Sequence, residues 1–126
     1  MSQLLLLVGA GGAIGSILRY LVGLWTMHRF GPGFPWGTLG VNITGSFLIG
    51  VLAELIMRKF GASPDMRVFL VTGVLGGYTT FSAFSLDAVT LFERGDVVLS
   101  ATYVVASVAL SLLAVFCGLA LMRAIV

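Results

Sequence analysis

Charge is what this sequence has least of. Only 10% of its 126 residues are Asp, Glu, Lys or Arg, while 59% are hydrophobic; a soluble domain carries about 25% charged residues. With a mean hydropathy of +1.11, so short a chain cannot hide its apolar surface in a core of its own. Its solvent must be lipid. Seven basic residues stand against five acids, for a net charge of +2. They are scattered singly rather than massed, which leaves no footing for nucleic acid. Cysteine is nearly absent, and the single Cys117 excludes an internal disulfide and a thiolate metal cluster. The lone His28 sits between Met27 and Arg29 and reads as an ordinary interfacial residue. A basic n-region is missing too: Met1-Ser2-Gln3 leads directly into an apolar run longer than the about 7–15 residues of a signal h-region. The first segment is therefore expected to be a retained membrane span.

What is there is four long apolar segments. A helix needs about 20 residues to cross the hydrocarbon core, and residues 4–27, 38–57, 67–92 and 97–122 qualify. All three prolines, Pro32, Pro35 and Pro64, fall between them, as expected of loops. The connections Arg29–Gly37, Arg58–Met66 and Glu93–Asp96 are too short for an extramembrane domain. The expectation is a single all-α membrane domain over residues 1–126, with function inside the spans and both termini on one side. Arg58, Lys59, Arg67 and Arg123 lie on the terminal side; Arg29 and Arg94 lie opposite, and Arg19 is a turn or two into the membrane. The positive-inside rule discriminates by larger biases than this. A chain so balanced could insert both ways, which would allow an antiparallel dimer.

Each span carries residues that a plain hydrophobic helix would not need. In the first, Gly11-x-x-x-Gly15 and Gly12-x-x-x-Ser16 are small-residue pairs suited to close helix packing. Arg19 would either snorkel to the far interface beside Tyr20 and Trp25 or line a vestibule that attracts anions. Thr38 would cap the second span. Within that span Asn42 shares a face with Gly45 and Ile49; an amide in lipid must find a partner, whether another helix or a ligand. Glu54 would snorkel outward. The third span contains residues 71–85, Val-Thr-Gly-Val-Leu-Gly-Gly-Tyr-Thr-Thr-Phe-Ser-Ala-Phe-Ser. Glycine costs about 1 kcal/mol against alanine in a helix interior, and hydroxyls in lipid need partners. This stretch is expected to break the helix beside an ion site, freeing backbone carbonyls around Gly73–Thr80. Asp87 beyond it could be a vestibule charge, a partner of Arg94, or a proton carrier. In the fourth span Ser100, Tyr103, Ser107 and Ser111, spaced by three, four and four, share one face. They would form either a polar track or a set of interhelical hydrogen bonds.

No nucleophile–base pair, metal-ligand cluster or phosphate loop is present, and no histidine or lysine stands near the hydroxyls to act as a base. An integral-membrane enzyme therefore has little support. Hydroxyl and amide donors, a cation and two phenylalanines, without a ring of acids, suit a small anion. An aromatic ring is electron-poor at its edge, so Phe81 and Phe84 would turn edges toward it.

The stretch Gly76-Gly77-Tyr78-Thr79-Thr80-Phe81-Ser82-Ala83-Phe84-Ser85 resembles the signature of the Fluc (CrcB) fluoride channels. Gly15-x-x-x-Arg19-Tyr20, Pro35-Trp36-Gly37-Thr38-Leu39-x-x-Asn42 and Tyr103-x-x-x-Ser107-x-x-x-Ser111 extend the resemblance along the chain. It implies an antiparallel, dual-topology homodimer in the bacterial inner membrane that passes fluoride passively out of the cell. The third helix would break and cross its mate at the dimer centre. There the carbonyls of Gly76 and Thr79 would hold a structural, untransported sodium ion. Asn42, Phe81 and Phe84 would line the fluoride pore, with Thr80, Ser82, Tyr103, Ser107 and Ser111 along it and Arg19 near its vestibule. Asp87 stands where some members carry glutamate. The rival reading is a small dual-topology, proton-coupled multidrug exporter. It would require a carboxylate in the membrane, and the first span offers Arg19 instead.

Overall fold

A computed structural model describes residues 1–126. Four apolar helical spans run along the chain, over Ser2–Phe30, Trp36–Arg58, Pro64–Glu93 and Val97–Ile125. The first, second and fourth are continuous helices, α1 (Ser2–Phe30), α2 (Trp36–Arg58) and α6 (Val97–Ile125). Each runs a few residues past its apolar limits, because helical hydrogen bonding continues through polar residues such as Gln3, His28 and Arg58. The helix α2 starts two residues before Thr38. Pro35 occupies the cap position, so the expected Thr38 cap does not form. Proline has no N–H to leave unpaired and its fixed φ suits a helix start.

The third span is not one helix. A single turn, α3 (Pro64–Met66), is capped by Ser63, whose Oγ accepts from Met66 N. It widens into a π-helical segment, Arg67–Leu75, closes as α4 (Gly76–Tyr78) and stops. After two extended residues α5 (Phe81–Glu93) resumes. π-Helical turns are rare and concentrate at functional sites.

Small residues set the packing. A methyl on Gly11 would lie 2.5 Å from Phe69 O and 2.9 Å from Gly73 Cα, one on Gly77 would lie 2.6 Å from Gly12 O, and Gly15 is pressed on Val74 O. The helix α1 therefore lies backbone to backbone against residues 69–78, as the small-residue pairs predict. On the other side α2 runs along α6, with Gly50 and Gly118 in the same close relation. A small apolar cluster of Leu39, Phe84, Leu91 and Tyr103 joins α2, α5 and α6. Phe34, before α2, stacks edge-on against Tyr103 at 5.4 Å and tilts against Trp36 at 4.7 Å, which seals one end of the bundle with aromatic rings. At the other end Glu54 does not stand free. Its two oxygens each take a 2.8 Å ion pair, with Arg58 and with Arg123, tying α2 to α6.

Candidate ion pathway

The break falls at Thr79 and Thr80, with φ/ψ of −89/158° and −153/122°. It lies two residues beyond the last glycine of the stretch expected to cause it. The glycines serve packing instead, since Gly73 and Gly77 admit α1. The threonines tolerate the extended backbone because their side chains rebuild the lost helical bonding. Thr79 Oγ1 donates to Leu75 O at 2.9 Å, beside Thr79 N at the same distance. Thr80 Oγ1 accepts from Ala83 N at 3.1 Å and so caps α5.

Two neighbouring helices hold the broken segment. From α2, Asn42 Nδ2 donates to Thr80 O at 2.9 Å while Asn42 Oδ1 accepts from Thr80 N at 2.8 Å. From α1, Arg19 Nε donates to Gly77 O at 3.0 Å. The arginine thus does more than snorkel, since it satisfies a carbonyl at the end of the first limb. With these bonds in place, the carbonyls of Gly76 and Thr79 still accept no hydrogen bond.

Beside the break lies a cleft of about 330 Å³. Its walls include Asn42, Gly45, Ser46 and Ile49 from α2, Gly76, Thr79 and Thr80 at the break, Phe81 and Phe84 from α5, and Ser107 and Ser111 from α6. The Asn42, Gly45 and Ile49 face identified in the sequence does line it. No charged side chain does. Ser107 Oγ is buried and has no hydrogen-bond partner within the chain. The rings of Phe81 and Phe84 sit 5.4 Å apart, inclined by 52°. Phe84 is 8% exposed and Phe81 77% exposed, so one ring is part of the core and the other projects from the chain. Next to the cleft, Arg19, Ser16, Tyr20, Thr38 and Thr80 border a second recess of about 550 Å³. Thr80 lies on both.

Some expected site residues lie elsewhere. Tyr103 is wholly buried between Phe34 and Phe84, outside the cleft, and donates its hydroxyl to Asp87 Oδ2 at 3.2 Å. Asp87 is thus partnered by tyrosine, and Arg94 pairs with Asp96 instead. Ser100 donates to Ala88 O at 2.7 Å, an interhelical bond. Ser82 is exposed and reaches only Thr80 Oγ1, at 3.3 Å. The polar face of α6 therefore divides: Ser100 and Tyr103 bind α5, while Ser107 and Ser111 face the cleft. Sequence reasoning missed Ser46 as a lining residue, although its place one residue after Gly45 was visible. It also missed the 2.9 Å hydroxyl contact between Thr44 and Tyr78, which nothing in the spacing of either residue announces.

No group of three or more His, Cys, Asp or Glu side chains is positioned to hold a metal. The oxygens without a hydrogen-bond donor at the break are the carbonyls of Gly76 and Thr79, and the walls of the same cleft add the hydroxyls of Ser107 and Ser111. The sequence matches the family described as CrcB-like protein, Camphor Resistance (CrcB), over residues 6–119. It is 74% identical over 122 residues to the fluoride-specific ion channel FluC of Rhizobium meliloti strain 1021, covering 97% of this chain and 98% of that one. The FluC of Agrobacterium fabrum strain C58 is 68% identical over 117 residues, 93% of this chain and 94% of the relative. FluC 1 of Nitrobacter hamburgensis is 50% identical over 119 residues, 94% of each. With that coverage and the broken third span carrying its motif, the chain belongs to the CrcB family.

Proposed function

We propose that this chain is a fluoride-selective channel of the bacterial inner membrane, which lowers cytoplasmic fluoride by passive export. The observation that carries the reading is the unpartnered hydroxyl of Ser107 in a cleft without charged side chains. A buried polar group without a partner is costly, and a small anion resting against it relieves that cost. Asn42, Thr80 and Ser111 supply further polar groups on the same walls, and the edges of Phe81 and Phe84 carry the positive rim of the ring quadrupole. These weak donors replace the hydration of a small, hard anion; a larger halide fits such a narrow set poorly. Hydrogen fluoride enters as a neutral weak acid and ionises inside, and the membrane potential then drives the trapped anion outward through the selective leak. The relatives named as fluoride-specific ion channels support the same reading. A proton-coupled exporter fits less well: no carboxylate lines the cleft, and Asp87 is engaged by Tyr103.

The working unit of this reading is an antiparallel dual-topology homodimer. Its support is the near balance of basic residues at the two ends and the outward projection of Phe81, which leaves one wall of the cleft to a second copy. A structural sodium ion would be held by the carbonyls of Gly76 and Thr79. The residues fit it, because both oxygens are without a hydrogen-bond donor. When bound, the cation would tie the two third spans together. Efflux from liposomes tests the whole reading: fluoride should leave without a proton gradient and with little chloride flux. Flux that needs a proton gradient, or no fluoride flux at all, would overturn it.

A further inference from the structure

Asn42 and Thr80 are joined by a pair of bonds that reaches beyond the anion cleft. In an uninterrupted α-helix the N–H of Thr80 would close on the carbonyl of Gly76, four residues back. It donates instead to Asn42 Oδ1 at 2.8 Å, and Asn42 Nδ2 returns a bond to Thr80 O at 2.9 Å. The side-chain amide thus meets one residue's N–H and C=O together, as a neighbouring strand would. Gly76 O is left without a donor as a direct result. We propose that Asn42 is the positioning residue that keeps this carbonyl free for the cation, so that one side chain serves the anion cleft, which it lines, and the cation site together.

Two acceptors compete here for a single proton donor. Thr80 N is part-buried, and a buried N–H must be paired. Remove the amide, and the acceptor that an uninterrupted helix would offer is Gly76 O. The helix closes over its gap, and a ligand is withdrawn from the cation without any change at Gly76 or Thr79. Arg19, the other strut, acts on Gly77 O, which is not a proposed ligand, and so should lack this effect.

This role for Asn42 rests on the sodium reading above, and the experiment separates the two. Purified protein is titrated with sodium chloride, balanced by choline chloride at constant ionic strength, and the thermal unfolding midpoint and dimer fraction are read. Native protein should respond to sodium. In Asn42→Ala the half-saturating sodium concentration should rise about 10- to 100-fold, the usual loss when a residue supporting a metal ligand is removed. Asn42→Asp keeps the acceptor for Thr80 N–H but loses the donor to Thr80 O, and should need less sodium than Asn42→Ala. Should Asn42→Ala fail to fold by circular dichroism, Asn42→Gln, whose amide is displaced by one methylene, carries the same expectation as alanine. Native half-saturation in the folded alanine or glutamine variant would overturn the inference alone. A native protein indifferent to sodium would overturn the sodium reading first, and the inference with it.

Discussion

Tyr103, on α6, donates its hydroxyl to Asp87 on α5 at 3.2 Å, with the ring packed 5.2 Å from Phe84. The pair fastens the second limb of the broken span to the fourth helix. Tyr103→Phe keeps the ring and removes the donor, leaving a part-buried carboxylate short of a partner. The expected cost is about 1–3 kcal/mol, read as a lower thermal midpoint in detergent. An unchanged midpoint would mean that water serves Asp87 equally well.

Ser107 predicts the opposite sign. Its hydroxyl has no protein partner, so Ser107→Ala should leave the unfolding midpoint equal or higher. Fluoride efflux from liposomes should nevertheless fall about 10- to 150-fold, since a hydrogen bond to a charged group contributes about 1.5–3 kcal/mol. Loss of stability with unchanged flux would reverse the assignment.

The two phenylalanines should separate in the same way. Phe81 is mostly exposed and Phe84 buried. Phe81→Ile should reduce fluoride flux with the midpoint nearly unchanged. Phe84→Ala empties part of the Leu39–Leu91–Tyr103 cluster and should cost about 3–5 kcal/mol. Equal destabilisation by both would deny Phe81 a role in conduction.

Along α1, glycines of similar appearance should differ sharply. A methyl at Gly15 meets the backbone of residues 74–78, whereas one at Gly9 meets nothing within 4 Å. Gly15→Ala should therefore cost at least the about 1–3 kcal/mol of overpacking, because the obstacle is backbone and cannot rotate away. Gly9→Ala should be neutral, or stabilising by up to about 1 kcal/mol. The check is a pair of thermal melts in the same detergent.

Much of this arrangement is legible before any coordinates. Apolar length marks the spans, and helical spacing puts Asn42 with Gly45 and Ser107 with Ser111. Other features escape because they depend on which helix lies opposite. Gly73, Gly76 and Gly77 read as helix breakers; the presence of α1 makes Gly73 and Gly77 packing surface, and the break falls at Thr79. Tyr103 and Ser107 share a face of α6, yet the first faces α5 and its acid while the second faces the gap. Periodicity gives direction around a helix, not the identity of the neighbour at each depth. The pairing of Asn42 with Thr80 crosses 38 positions and leaves no local trace.

The interruption at Thr79 and Thr80 also creates two helix ends where an intact span would have none. Aligned peptide dipoles leave a partial negative charge at the carboxyl end of one limb and a partial positive charge at the amino end of the next. These poles stand two residues apart in the middle of an apolar bundle. The Arg19 guanidinium already meets the first pole at Gly77 O, so the field left over a cleft without ionised side chains is the positive one at the start of α5.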